Sequence, residues 1–347
     1  MRIWENRFWG SLLWPASLAY GLVIALRNRM YDRNSRKSLS LNARVIGVGN
    51  ITVGGTGKTP MVQFLARALS VKGIPVAVLS RGYGGKGKGI RILKNGDSPQ
   101  ADPRIVGDEP VLLAKTLPGV PIVVSPDRIK AGQWAVRRFG SRVLVLDDAF
   151  QHRRIRRDLD IVMVRAENPF GNGWLLPAGP LREPLSSLRR CRAVVVTGPR
   201  ESASDSGLAL IRRWTTAPVW FAEHRPSVWI EQATGKSFSL DLLRGRPVLA
   251  FSGIANPGSF EKTVLDTGAV PAKCIRYPDH FFYRARDLTR LARAANRIGA
   301  CAVVTTEKDG VRIAEWTERL PLYCLRIRIE VDGLEKLLKM CLDIARG

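Results

Sequence analysis

The chain has 347 residues, 45% of them apolar, enough for one large or two ordinary domains with a substantial core, and it carries no internal repeat or low-complexity segment. Fifty-five Lys and Arg against 30 Asp and Glu leave a formal charge of +25, which calls for an anionic partner such as a membrane face or a phosphorylated substrate. No zinc-finger spacing, RNP-like aromatic string or lysine tail accompanies that charge, so nucleic acid ranks last, and the widely spaced Cys191, Cys274, Cys301, Cys324 and Cys341 fit a reducing cytosol with neither a disulfide framework nor a zinc site.

Residues Phe8 to Leu26 carry no charge, and as a helix they would span about 28 Å at ~1.5 Å per residue. Trp4, Trp9, Trp14 and Tyr20 suit a membrane interface, and Arg27, Arg29, Arg33, Arg36 and Lys37 follow at once. Because Gly10, Ser11, Pro15 and Ser17 interrupt the run, an anchor lying in the interface is expected ahead of a spanning helix or a buried one. The basic cluster suits an anionic cytoplasmic leaflet.

Ala43 to Val48 reads as a buried strand, and Met61 to Leu69 has helical spacing. Between them lies Gly49-Asn50-Ile51-Thr52-Val53-Gly54-Gly55-Thr56-Gly57-Lys58-Thr59-Pro60. Strand, glycine-rich loop and helix is the context in which Gly-Lys-Thr cradles phosphates. Thr52, Val53, Gly54, Gly55, Thr56, Gly57, Lys58 and Thr59 are therefore the expected ATP-binding residues. Lys58 reaches the β- and γ-phosphates and Thr59 ligates Mg²⁺. Thr52 stands where the strict pattern has glycine.

Ile74 to Ser80 is a second strand, running into the loop Ser80-Arg81-Gly82-Tyr83-Gly84-Gly85, which either borders the nucleotide or is a plain loop. Val106-Gly107-Asp108-Glu109-Pro110 opens a helix continuing through Leu117. Asp108 there is either an ordinary N-cap or a general base for an alcohol nucleophile. Strands at Pro121 to Ser125 and Arg142 to Leu146 flank a helix from Arg128 to Phe139. The second strand closes on Asp147-Asp148, the pattern that sets a carboxylate near Mg²⁺.

Asp158 to Val164 and Cys191 to Thr197 are further strands. From Pro199 to Lys236 the alternation fades, and a domain boundary is expected there. A second alternation follows: strand Pro247 to Phe251, helix Pro257 to Asp266, strand Ala272 to Tyr277, helix Asp287 to Arg297, strand Ala302 to Thr305, strand Leu322 to Ile329 and a helix from Asp332. This predicts a second, mostly parallel sheet. His280 lies in the aromatic loop Tyr277 to Tyr283, just past a strand end, either structural or facing a cleft between domains.

Taken together these strings resemble the tetraacyldisaccharide 4′-kinases, which phosphorylate the lipid A precursor of Gram-negative bacteria. The resemblance rests on the phosphate loop, Ser80-Arg81-Gly82-Tyr83-Gly84, Val106 to Pro110, Leu146 to Arg153, Leu181-Arg182-Glu183-Pro184, Pro278-Asp279-His280 and Thr305-Thr306-Glu307-Lys308-Asp309, in the family's order along nearly the whole chain. Thr52 matches the family's own variation, Ala149 replaces a usual glycine, and Phe281 stands where some members carry a second histidine.

The resemblance implies ATP- and Mg²⁺-dependent transfer of the γ-phosphoryl group to the 4′-hydroxyl of an acylated glucosamine disaccharide 1-phosphate. It implies two α/β/α domains, the first a P-loop parallel sheet, beside an N-terminal membrane-associated helix: residues 1–37, 38–215 and 216–347. It makes Asp108 the catalytic base, paired with His280 from the other domain and working with Lys58; Asp147 and Asp148 join Thr59 on the metal side. Arg81, Gln151, Arg182 and Glu183 would line the substrate site. The expected location is the cytoplasmic side of the inner membrane, against an anionic surface, and the residues name no protein partner. The rival reading is a membrane-associated P-loop ATPase acting as a switch or targeting factor, but the second α/β half and the His280 loop have no task in it.

Overall fold

The computed structural model describes residues 12–33, 35, 37–93 and 102–346; Trp4, Trp9, Arg36 and the start of the apolar run at Phe8 to Ser11 lie outside them. Helix α1 (Trp14–Asp32) leads into β1 (Arg44–Asn50), α2 (Lys58–Val71), β2 (Val76–Ser80), β3 (Arg91–Leu93), α3 (Pro103–Val106), α4 (Asp108–Thr116) and β4 (Ile122–Val124). Next come α5 (Arg128–Phe139), β5 (Val143–Leu146), β6 (Leu159–Arg165), β7 (Ala193–Thr197), α6 (Asp205–Trp214), β8 (Val219–Glu231) and β9 (Ser237–Phe238). The chain closes with β10 (Pro247–Ser252), α7 (Pro257–Asp266), β11 (Val270–Arg276), α8 (Ala285–Arg297), β12 (Ala302–Thr306), α9 (Glu307–Gly310), β13 (Leu322–Val331) and α10 (Leu334–Arg346).

The strands form one sheet in the order β11-β10-β12-β13-β8-β7-β6-β1-β5-β2-β4-β3, with β9 added beside β8. In the first half β1, β2, β5, β6 and β7 pair in parallel, and they are continuous apolar runs because helices cover both faces. The P-loop leaves the carboxyl end of β1, which lies between β5 and β6, the position at which open α/β sheets gather ligands.

The expected second sheet is not separate. Strand β8 starts parallel to β7 at Val219 to Ala222, then continues antiparallel to β13 through Glu231. Strand β13 in turn pairs in parallel with β12 over Leu322 to Leu325. This two-stranded ribbon carries the sheet from one half into the other. Residues of β8 are mostly half-exposed and include Glu223, His224, Arg225 and Pro226, so no apolar alternation marks it in sequence. Pro226 faces Ile327 where the register shifts, an irregularity that tolerates a missing N–H. Helix α10 does not stay with the second half: Leu337, Cys341 and Ala345 join the core built by Met61, Leu65 and Leu69 of α2.

Helix α1 lies on the first half through a narrow polar seam. Ser17 Oγ donates to Leu175 O (2.8 Å) and Tyr20 Oη to Arg182 O (2.8 Å). Arg27 and Asn28 donate to the two oxygens of Glu183, at 2.9 and 3.1 Å. The outward side, with Leu18, Leu22, Val23 and Leu26, is exposed. Among the described residues no helix is long and apolar enough to cross a membrane.

Candidate active site

The phosphate loop is shaped by the segment beside it. Arg182 N donates to Ile51 O and Val53 N to Pro180 O, each at 2.8 Å, while Thr52 bridges to Leu181. Thr52 is thus held in extended backbone and needs no left-handed φ, which is why threonine serves where the strict pattern has glycine. Gly57 does need one: its φ is 78°, and a Cβ there would lie 2.9 Å from the His224 ring. Helix α2 then starts at Lys58 with no side-chain cap, leaving the N–H groups of its first turn as donors for an anion. Thr56 Oγ1 is buried without a hydrogen-bond partner, and nothing stands within 4 Å of a Cβ on Gly55.

The acidic pair at the end of β5 divides. Asp148, with a φ of 48°, takes a two-pronged guanidinium from Arg182 at 2.8 and 3.0 Å and the Lys58 ammonium at 3.4 Å. Burial pushes its carboxyl up, but Lys58 and Arg182 outweigh that and hold it well below the ordinary range. Asp147 is buried and its Oδ1 has no partner. Its carboxyl is pushed up to about 7, by burial first and then by the charges of Glu109 and Asp148, against Lys58 and Arg128. The two were expected to share the metal; the free oxygen belongs to Asp147, while the Asp148 carboxylate is already filled by cations. Arg128, which the sequence did not single out, fixes the turn by donating to the carbonyls of Asp147 (2.6 Å) and Asp148 (3.0 Å).

These residues fit Mg²⁺. Among the described residues no group of three His, Cys, Asp or Glu side chains could cage a metal. Mg²⁺ requires no such cage, taking one or two protein oxygens with phosphate and water completing the shell. An orphaned, strongly raised carboxylate next to an uncapped helix is the environment a divalent cation would relieve.

Across the sheet's carboxyl edge, Asp108 meets His280. Gly107, at φ 90° and ψ 153°, turns the chain between α3 and α4 so that Asp108 opens α4 as its first residue. The N-cap is therefore Gly107, one position ahead of the expected Asp108. The helix expected to open in this string and run through Leu117 is α4, Asp108–Thr116, with the short α3 ahead of the turn. Asp108 Oδ2 lies 2.9 Å from His280 Nδ1, 3.6 Å from Arg312 Nε and 4.0 Å from Lys308 Nζ; Oδ1 accepts from Glu109 N at 2.9 Å. Burial works against the charge on Asp108, yet the His280 hydrogen bond and the Lys308 and Arg312 charges hold its carboxyl below the usual range. An ionised carboxylate only accepts, so Nδ1 of His280 carries the proton. His280 itself has a φ of 61°, rare for a residue with a Cβ, and its ring faces that of Tyr83 at 6.0 Å.

The four side chains expected to line the substrate site have different fates. Arg182 is at the centre, binding Asp148 and also Asn50 Oδ1 (3.1 Å). Gln151 Nε2 donates to Asn50 O (2.8 Å), leaving its Oε1 without a partner. Arg81 is exposed on the loop that carries Tyr83. Glu183 is fully buried beneath α1, with Arg27, Asn28 and Arg190 on its two oxygens. Lys308 and Arg312 were missed as site residues, although Thr305 to Asp309 was one of the strings in the resemblance. Lys308 Nζ also pairs with Glu109 (3.2 Å).

Comparison with known proteins identifies the family. The sequence model described as "Tetraacyldisaccharide-1-P 4′-kinase" matches residues 9–343. A tetraacyldisaccharide 4′-kinase of Syntrophus aciditrophicus is 43% identical, over 95% of this chain and 93% of its own. One from Anaeromyxobacter sp. Fw109-5 is 40% identical over 100% and 98%. Among solved structures, the "apo" form of LpxK from Aquifex aeolicus in complex with ATP superposes with a TM-score of 0.78 at 32% identity, covering 96% of this chain and 99% of its own. With a phosphate loop, an acidic strand end and a carboxylate–imidazole pair in one sheet edge, and with relatives matched over nearly the full length, the chain belongs to the tetraacyldisaccharide 4′-kinase family.

Proposed function

We propose the following division of labour for the family's reaction, ATP-dependent phosphorylation of the 4′-hydroxyl of a tetraacyldisaccharide 1-phosphate. The loop Thr52 to Thr59 holds the triphosphate through backbone N–H groups, and Lys58 follows the charge of the γ-phosphoryl group as it transfers. Arg182 and Lys58 share Asp148, so nucleotide binding would exchange that carboxylate for phosphate oxygens as the partner of two cations. Thr59 and Asp147 would hold Mg²⁺, which would neutralise phosphate charge.

Asp108 accepts the proton of the 4′-hydroxyl, and His280 orients it. The observation that carries this reading is their 2.9 Å contact between the P-loop half and the second half. In a loose transition state the alcohol's proton leaves late, so a weak base that positions the oxygen suffices. One observation favours a variant: the His280 side chain is 33% exposed and that of Asp108 only 3%, so the hydroxyl could meet Nε2 first, with Asp108 behind the ring. Direct acceptance by Asp108 leaves His280→Ala more active than Asp108→Asn; acceptance through the ring makes the two losses equal.

The two halves, divided near residue 215, act as lobes joined by the β8–β13 ribbon, and this division is part of the proposal. So is the location. Leu18, Leu22, Val23 and Leu26 form an exposed apolar stripe at helical spacing, with Arg27, Arg29, Arg33 and Lys37 beyond it. That combination, with a charge of +25, supports docking on an anionic cytoplasmic leaflet of the inner membrane, where a tetraacylated sugar resides. The deciding assay is ATP turnover in mixed micelles with and without the acylated disaccharide 1-phosphate. Turnover that needs the lipid supports the kinase; turnover indifferent to it but raised by a protein partner would restore the switch reading.

A further inference from the structure

We infer that Arg312 is a positioning residue for phosphoryl transfer, holding the His280 loop and the Asp108 carboxylate in one geometry from beneath. The inference rests on the reading of Asp108 and His280 as the proton-accepting pair. The Arg312 side chain is completely buried, and every nitrogen is used. Nη1 and Nη2 each donate to Gly253 O at 3.0 Å, Nη1 reaches Phe281 O at 3.3 Å, and Nε donates to Lys308 O at 3.1 Å. Nη2 also pairs with Asp309 Oδ1 at 2.9 Å, while Nε lies 3.6 Å from Asp108 Oδ2.

The partners of this guanidinium form a hub. Asp309, also fully buried, accepts from Gly253 N (2.9 Å), Tyr283 Oη (2.6 Å) and Thr306 Oγ1 (2.6 Å). Gly253 O in turn accepts the His280 N–H at 3.1 Å. The end of β10, the His280 loop and the turn of α9 are thus tied through one fork.

That explains how a histidine persists at a φ of 61°: its own N–H and the next residue's carbonyl are both fixed by the hub. A buried Arg–Asp pair that merely closed the core of the second half would have no reason to reach a carboxylate of the first. Arg312 touches the backbone flanking His280 and faces Asp108 at the same time. Lysine could supply the charge, though not a planar fork spanning three carbonyls and a carboxylate. The charged groups facing Asp108 are His280 from the loop and Lys308 and Arg312 from α9 and its exit; behind them Asp279 lies 3.9 Å from His280 Nε2 and Glu109 3.2 Å from Lys308 Nζ.

The test uses the full-length enzyme with ATP and the acylated disaccharide 1-phosphate in micelles. Arg312→Gln should lower kcat about 100-fold, as expected for a loosely held reacting group, with ATP affinity unchanged because the phosphate loop is elsewhere. The acid limb of kcat/KM should move to higher pH as Asp108 loses a neighbouring cation. Arg312→Lys should return the limb toward its original position without restoring kcat. In an Asp108→Asn background, Arg312→Gln should cost little more, since it acts through the group already removed.

Wild-type kcat per folded molecule in Arg312→Gln, or a loss that multiplies that of Asp108→Asn, overturns the inference and leaves the pair reading intact. Wild-type turnover in Asp108→Asn itself overturns both. Should Arg312→Gln not fold, Gly253→Ala is the second probe: its Cβ would meet Pro278 O and Tyr283 Oη at 3.0 Å and Asp309 Oδ1 at 3.2 Å, disturbing the hub without removing a charge. It should lower kcat with ATP binding intact, and an unaltered kcat would refute the positioning role.

Discussion

Asp108 and His280, 172 positions apart in the chain, meet at 2.9 Å, and each is presented by backbone that ordinary residues avoid. Gly107 turns at φ 90° to deliver the carboxylate, and His280 itself sits at φ 61°. Glycine takes its φ without steric cost, so the strain at this contact lies in His280.

Asp108→Asn tests this contact. It preserves shape but removes the base, so kcat should fall roughly 100-fold or more while ATP binding persists. Because the folded carboxyl is held below its unfolded value, ionised Asp108 also stabilises the fold, an effect fully present above that unfolded value (about pH 4) and lost as pH falls through the folded one. The gap in melting temperature between wild type and Asp108→Asn should therefore be wide at neutral pH and close below about pH 4. A gap that widens on acidification contradicts the direction assigned here.

His280→Ala should lower kcat with little effect on ATP affinity, and the double variant with Asp108→Asn should lose far less than the product of the two. Single-turnover rates measure both. Multiplying losses would mean that His280 serves the lipid independently.

Lys58→Ala removes a charge aimed at the transferring phosphoryl group and one of the two cations on Asp148, so kcat should drop at least ~100-fold. Arg182→Lys keeps the charge but not the fork, and should weaken ATP binding without abolishing turnover. Near-normal kinetics for Lys58→Ala would remove the phosphate-loop assignment.

Replacing Leu22, Val23 and Leu26 with Gln should free the protein from anionic vesicles, each lost apolar contact costing roughly tenfold in binding, with melting temperature unchanged because these side chains are exposed. Cosedimentation measures it. Deleting residues through Arg33 is a different experiment, since it strips Arg27 and Asn28 from buried Glu183 and should lower stability as well. If high salt alone releases the intact chain, the stripe is not what binds.

His152 and His224 are both pushed down to about 4, each by burial first and His152 also by the surrounding arginines. Their folded values lie below the unfolded one, so the unfolded chain binds more protons between about pH 4 and 6.5 and stability is lost as pH falls through that window. Thermal melts should drop by several degrees from pH 7 to 5, and His224→Gln should flatten the slope. A flat wild-type profile would count against both shifts.

What the residues determined alone was local. A strand, a glycine-rich turn and an uncapped helix are encoded within about thirty positions, so the phosphate loop, the acidic strand end and helix Pro257–Asp266 are legible from spacing. So was the order of strings that resembles one kinase family, and so was an apolar N-terminal run followed by arginines. What the tertiary structure decided were relations between remote positions. Neighbours in sequence, Asp147 and Asp148 part company because Arg182, 34 positions on, reaches only one of them. Glu183 turns from an expected substrate contact into the seat of α1 because the chain beside it buries both its oxygens. Strand β13 was legible as Leu322 to Ile329, but β8 was not, because Glu223 to Ser227 interrupt its apolar residues and only ladder pairing with β7 and β13 holds them extended. Arg312 could not be singled out, because one arginine among so many acquires its role only where burial removes water and three loops converge on a single guanidinium.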